Sequence, residues 1–313
     1  MLNDFKNKAD GAALVQEYQN GPQPFLERSE QFYRQQAAYV ADLFCKGFPE
    51  NKVILLAGPT SSGKTTTSLN LQKELHKRGI STLQVSLDDF FKDNEEAPLL
   101  EDGTPDFETA EMLDIAFMEE CFAELFAKGA CDFPIFDFVH GKRSETRRPC
   151  ILDDHTAVII EGLHALNPVI KERSFCKNAL KVYISIKTEF FDGNERLLST
   201  RELRLIRRII RDANYRGCLP PQTMAMWKNV VRGEDQYIRP FRLEADSWLD
   251  SVHLYEPFLY RQPFWELTRD AVWQSAEHKL LAEKLNKSLQ KFPVMPMNLV
   301  PKDSLLREFL VLP

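Results

Sequence analysis

Residues 53–65 read Val53-Ile54-Leu55-Leu56-Ala57-Gly58-Pro59-Thr60-Ser61-Ser62-Gly63-Lys64-Thr65. The first five are apolar and stop at a glycine, the pattern of a short strand buried on both faces. The next eight fit G-x-x-x-x-G-K-[ST]. In that pattern the glycines let the backbone curl into a nest of N–H groups aimed at phosphate oxygens. A helix opens at the lysine, and its positive end faces the same anion. Gly58, Ser61, Ser62, Gly63, Lys64, Thr65 and Thr66 are therefore the expected ATP-binding residues. Lys64 would reach the β- and γ-phosphates, and the Thr65 hydroxyl would hold Mg²⁺. A serine-rich turn that merely starts a helix would not explain a lysine directly after the second glycine. Asn7-Lys8-Ala9-Asp10 fits the guanine-reading N-K-x-D pattern, but it precedes the loop instead of following it. It reads as accidental and gives no reason to prefer GTP.

Outward from this loop, residues 64–78 read as a helix that stops at Gly79. Residues 82–87 (TLQVSL), 157–161 (AVIIE) and 180–186 (LKVYISI) read as further apolar strands. Residues 92–106 are acidic and carry Pro and Gly, so they read as a loop. Residues 109–128 read as an acidic amphipathic helix. Upstream, residues 27–45 predict a helix with Phe32, Tyr39, Val40, Leu43 and Phe44 as its apolar residues. Strands alternating with helices imply an α/β fold, a parallel sheet flanked by helices. The expected division is an N-terminal helical extension at 1–50, a P-loop domain at 51–290 and a tail at 291–313. The tail carries Pro293, Pro296 and Pro301 and is expected to pack on the body or on a partner.

Composition narrows the class. The chain has 313 residues, 43% hydrophobic and 27% charged, with a formal net charge of −6. That balance fits a globular protein with a real core and argues against a nucleic-acid binder working by bulk positive field. No apolar run approaches the roughly 20 residues that span a bilayer. The first ten residues lack the basic start and apolar stretch of a secretory signal. The six cysteines, at 45, 121, 131, 150, 176 and 218, form no C-x-x-C pair. They read as thiols of a reducing, cytoplasmic compartment and not as zinc ligands.

Two carboxylates stand where strands end. Asp88 and Asp89 follow the second strand, at the sheet edge where α/β folds bind ligands. Asp88 is the candidate general base and a candidate metal-associated carboxylate; a capping aspartate pair is the competing reading. Glu161 ends its strand before Gly162, in the position of a second Mg²⁺ carboxylate, or it caps a turn. Residues 201–216 (RELRLIRRIIRDANYR) then carry six arginines. At helical spacing Arg204, Arg207, Arg208 and Arg211 share one face, and Leu203, Ile206 and Ile210 the other. Such a face is either solvated and acid-paired or an Arg-rich lid helix whose planar forks meet phosphate. With a P-loop in the same chain, the lid reading makes Arg204 and Arg207 candidate catalytic residues beside Lys64.

The series GPTSSGKTT, SLDDFF, FPIFDFVHGKR, IIEGLHALNP, RELRLIRRIIRDANYRG and MWKNVVRGEDQYIRPF resembles the phosphoribulokinase/uridine kinase family over about residues 30–285. It is most similar to the kinase region of bacterial uridine kinase-like nucleoside kinases, without the synthetase-like segment that often precedes that region. The resemblance implies a P-loop kinase core, ATP with Mg²⁺, and a small hydroxyl acceptor that is nucleoside-like. By position Asp88 matches the catalytic aspartate, Glu161 the Mg²⁺-associated glutamate, and Arg204 and Arg207 the lid arginines. Glu108 falls where an acidic residue holds the ribose hydroxyls.

One segment departs from the family pattern. Uridine kinases read the base with Tyr and His in Tyr-Asp-Phe-x-x-His-Ser-Arg. Here the residues are Phe136-Asp137-Phe138-Val139-His140-Gly141-Lys142-Arg143. Phe136 replaces the tyrosine and Gly141 stands at the histidine. Phe136, Phe138, His140 and Arg143 stay as acceptor-binding candidates, because the rings can stack on a base; core packing and a surface turn are the alternatives. Losing polar readout weakens strict uridine specificity. A sugar, polyol or pantothenate-like acceptor, a nucleotide-dependent regulator, and a homo-oligomeric assembly all stay open.

Overall fold

The computed structural model describes residues 6–311. Its centre is a five-stranded sheet made of β1 (Val53–Ala57), β2 (Ser81–Ser86), β3 (Thr156–Gly162), β4 (Leu180–Ser185) and β5 (Ser247–Asp250). The spatial order is β5-β4-β1-β3-β2, and every neighbouring pair is parallel. All five residues of β1 and all seven of β3 are buried. Successive side chains of β1 enter opposite cores. Val53, Leu55 and Ala57 join one cluster, Ile54 and Leu56 the other. A strand apolar at every position is therefore what two covered faces require.

The major helices are α1 (Gly11–Asn20), α2 (Pro22–Cys45), α3 (Lys64–His76), α4 (Ile115–Lys128), α5 (Thr200–Tyr215), α6 (Pro220–Gly233), α7 (Glu256–Thr268) and α8 (Ala276–Leu289). On one sheet face α2 supplies Val40 and Phe44, and α3 supplies Leu71 and Leu75. On the other, α4 supplies Met118, Phe122 and Leu125. A third core gathers α1, α5, α7, α8 and the tail residues Leu305, Leu306, Phe309 and Leu310. The tail thus packs on the body.

Three differences from the sequence reading have local causes. Phe32 and Tyr39 lie on the outer face of α2 and are exposed. The helix expected at 109–128 starts only at Ile115, where Asp114 caps it by accepting from the Phe117 N–H at 3.1 Å. Asn7–Asp10 forms a strand parallel to Thr188–Asp192, which pairs in turn with Glu195–Leu198, so β4 is followed by an inserted three-stranded sheet. Among the described residues, no helix is long and apolar enough to cross a membrane.

Candidate functional site

The loop between β1 and α3 is built against its neighbours on all sides. A side chain at Gly58 would meet the Ile184 carbonyl of β4 at 2.2 Å, so the chain can pass only as glycine. Gly63 sits at φ +89° and lies under Leu305. Ser61 also adopts positive φ, at 57°. Ser61 and Ser62 are buried, with hydroxyls that have no hydrogen-bond partner among the described residues. Unpaired buried hydroxyls in such a loop suit an anion. Lys64 folds back, its Nζ 3.5 Å from the Pro59 carbonyl.

Glu161 on β3 receives the Thr65 hydroxyl at 3.4 Å. Burial pushes its carboxyl up to about 7; Lys64 opposes the rise, and Asp88 and Glu308 add to it. Asp88 follows β2 in a short 3-10 turn whose Ser86 cap accepts from the Asp88 N–H. Burial raises Asp88 too. Lys64 opposes the shift, Asp89 reinforces it, and Arg216 and Arg211 pull it back. Asp89 turns away, accepting from the Phe136 N–H at 3.3 Å and lying 3.5 Å from Arg148. Among the described residues no cluster of three His, Cys, Asp or Glu could cage a metal by itself. A hydroxyl and a carboxylate side by side instead suit a Mg²⁺ that keeps waters and shares substrate phosphates, the usual habit of that ion.

Glu108 lies within electrostatic reach of Arg208, Lys64 and Asp88, and burial raises its carboxyl to about 7. The sign of the consequence follows from linkage. A folded-state pKa above the unfolded one adds stability at low pH that is lost as pH rises from about 4.5 through about 7. Glu108→Gln is neutral throughout. Its stability advantage over wild type is expected to grow by about 1–2 kcal/mol between pH 5 and pH 8, below the full linkage value because part of the side chain still meets solvent. Urea unfolding at the two pH values measures it; an unchanging difference would show that Glu108 is ionised throughout.

The arginine helix departs from the two-faced reading: Leu203 through Asp212 are all buried. Arg207 is 0% exposed and holds Glu256, also 0% exposed, through two bonds of 2.7 and 2.5 Å. It also donates to the Ser61 carbonyl at 3.2 Å and the Ser251 carbonyl at 2.8 Å. Arg204 pairs with Glu234. Both expected lid arginines are thus neutralised by carboxylates from distant parts of the chain, and Arg207 braces the P-loop from behind. The charge that faces the cleft belongs to other residues. Arg208 donates to the Thr60 hydroxyl at 3.2 Å. Arg208, Arg211 and Arg216 share the single carboxylate of Asp212, which leaves positive charge over beside Asp88.

The remaining acceptor candidates are spread out. Phe136 is buried, in edge contact with Phe91 at 5.9 Å. Phe138 is 61% exposed. His140 stands at a hairpin tip, exposed, with its ring 2.6 Å from Asp137. A side chain at Gly141, which sits at φ +64°, would meet the Asn94 amide at 2.2 Å, so a histidine there would strain the backbone and displace Asn94. Arg143 reaches Asp114 at 3.0 Å and lies over the Phe117 ring. The sequence reading passed over His164, which is buried three residues after Glu161 and held down to about 4 by burial. It passed over Glu308 as well. That carboxylate accepts from the Thr66 N–H at 3.3 Å and the Thr66 hydroxyl at 2.8 Å.

Residues 53–255 match the family model described as Phosphoribulokinase / Uridine kinase family. The chain is 26% identical over 195 residues to the Uridine kinase of Bacillus velezensis, covering 62% of this chain and 83% of that protein. It is 27% identical over 201 residues to the Uridine kinase of Ligilactobacillus salivarius, covering 63% and 84%. The solved phosphoribulokinase from Rhodobacter spheroides is 15% identical, with a TM-score of 0.41, covering 82% of this chain and 98% of that one.

Proposed function

The chain belongs to the phosphoribulokinase/uridine kinase family, and from that premise we propose that it transfers the γ-phosphate of ATP to a hydroxyl of a nucleoside-like acceptor, uridine or cytidine at the 5′ position. The observation that carries this reading is Asp88 at the carboxyl end of β2, in a cleft with Lys64, Glu161, Glu108, Arg211 and Arg216. Phosphoryl transfer asks for this set: cations on the transferring group and a carboxylate for the acceptor hydroxyl. The acceptor O–H gives its proton to an Asp88 carboxylate oxygen as the hydroxyl oxygen bonds to phosphorus, and the ADP oxygen leaves. Lys64, Arg208, Arg211 and Arg216 balance the charge on the phosphoryl oxygens. Thr65 and Glu161 would hold Mg²⁺, which would offset charge on the phosphates. Arg204 and Arg207 act as positioning residues behind the loop. Glu108 holds acceptor hydroxyls.

One observation favours a second acceptor class. Asn94 fills the space beside Gly141 and His140 points to solvent, so the base-reading groups of uridine kinases have no counterpart in this hairpin. A sugar, polyol or pantothenate-like acid would not need them. ADP release measured against a panel of nucleosides, pentoses, polyols and small hydroxy acids separates the classes. Strongest stimulation by uridine or cytidine supports the first reading. Stimulation by another compound alone moves the acceptor. Nucleotide binding with no stimulation by any of them favours a regulatory P-loop protein.

The tail enters this account through Glu308. Its carboxylate occupies two donors at the start of α3, the place where a P-loop receives phosphate. Two anions cannot share them, so ATP must displace Glu308. Glu308→Gln is expected to tighten ATP binding about fivefold to tenfold, because a charged hydrogen-bond competitor becomes a neutral one. Calorimetric titration checks this; equal affinity would show that tail and nucleotide do not compete.

A further inference from the structure

A cavity lies beside Pro59 of the P-loop, lined in part by Glu234, whose neighbour Gly233 rests on Glu108. Its volume is about 300 Å³. The walls are Pro59, Tyr183 and Ser185 of β4, Trp248 of β5, the first turn of α5 and the stretch from Glu234 to Arg242. Among the described residues, seven lysine or arginine side chains and one carboxylate, Glu234, line it, and Lys187 and Arg242 have partners of their own. Beyond the rim, Glu189 lies near Lys6 at 2.7 Å and Arg196 at 3.6 Å. Asp235 pairs with Arg201 and lies 3.4 Å from Arg239. Among the described residues, five of the cations (Lys6, Arg196, Arg201, Arg204 and Arg239) therefore divide three carboxylates, an excess of positive charge.

Two further features point to an anion. Arg204 is 2% exposed and spends Nη2 on Glu234, while Nη1 has no hydrogen-bond partner among the described residues. The indole N–H of Trp248 is likewise unpartnered. Buried donors of this kind are costly without an acceptor. The cavity also borders the first turn of the 16-residue α5, where a Ser199–Glu202 capping box already takes the Ser199 and Glu202 N–H groups.

From this arrangement we infer that the cavity is a binding site for a small phosphorylated metabolite, separate from the nucleotide and acceptor sites. Guanidinium forks match phosphoryl oxygens, and Tyr183 and Trp248 give the carbon skeleton an aromatic wall. The site is also wired to the cleft. Glu234 meets Arg204, while its neighbour Gly233 packs directly against the Glu108 side chain. One turn along α5 from Arg204, Arg208 touches the P-loop. An occupant drawing Arg204 from Glu234 shifts the wall against which Glu108 rests.

The test is calorimetric titration of inorganic pyrophosphate into protein saturated with ADP, so that the P-loop is already filled. Arg196→Glu with Arg239→Glu reverses two cations whose side chains are about half exposed, at 51% and 46%. Pyrophosphate is expected to bind the ADP-saturated protein at one site, and the double variant to lose at least tenfold in pyrophosphate affinity while binding ADP as wild type does. No binding to the ADP-saturated protein, or binding that the charge reversals leave unchanged, overturns the inference. If ADP itself does not bind, the reading of the P-loop fails instead, and the same titration on Lys64→Ala still decides whether the cavity takes the anion.

Discussion

Asp88→Asn is expected to lower the transfer rate by about 10² to 10⁴, the usual worth of a positioned proton acceptor. The amide keeps the shape of the side chain but cannot take the acceptor's proton. Asp88 lies beside the P-loop and not within it, held in a turn capped by Ser86. The ATP affinity of the variant should therefore stay within about threefold of wild type, since uniform binding is untouched. The loss falls on kcat, with the acceptor KM little changed. Single-turnover measurements with saturating ATP separate the two. A variant that transfers at the wild-type rate would remove Asp88 from the chemistry.

The second large effect concerns Arg207. The Arg207–Glu256 pair is sealed from water on both sides. Burial opposes the arginine's charge, yet Glu256 more than compensates and holds its pKa above the ordinary value. Removing one partner of such a pair leaves an uncompensated charge in the interior. Arg207→Ala is therefore expected to cost about 3–5 kcal/mol of stability in urea unfolding. Arg207→Ala with Glu256→Ala should be less destabilised than the sum of the two single changes. Arg208 makes the contrasting case: it reaches Thr60 on the cleft side, so Arg208→Ala should lose rate with little loss of stability. If Arg207→Ala folds as stably as wild type but loses activity, Arg207 faces the phosphates after all.

These two predictions mark how far the sequence could be read. The P-loop, the strands around it and the parallel sheet were legible because their signals are local: an apolar run, two glycines and a lysine within 13 residues. Asp88 and Glu161 were proposed the same way, from strand ends, and the structure places both there. The direction in which each arginine of α5 points was not legible. Helical spacing puts Arg204, Arg207, Arg208 and Arg211 on one arc. Their partners are set by tertiary contacts, Glu256 lying 49 residues beyond Arg207 and Glu234 lying 30 beyond Arg204. Glu308 meets Thr66 across 242 residues, a contact that no local pattern announces. Exposure failed for a related reason. Phe32 and Tyr39 fit a helical stripe, yet α2 turns that side to solvent and buries Ala37, Ala41 and Tyr33 instead.

The central claim is transfer to an acceptor hydroxyl and not hydrolysis. The most direct measurement is the fate of the label from γ-labelled ATP incubated with the acceptor that best stimulates ADP release, with Lys64→Ala as the blank. The account predicts label in a phosphate ester of the acceptor, absent with Lys64→Ala and nearly absent with Asp88→Asn. Label appearing only as inorganic phosphate, at a rate indifferent to the acceptor, would contradict it.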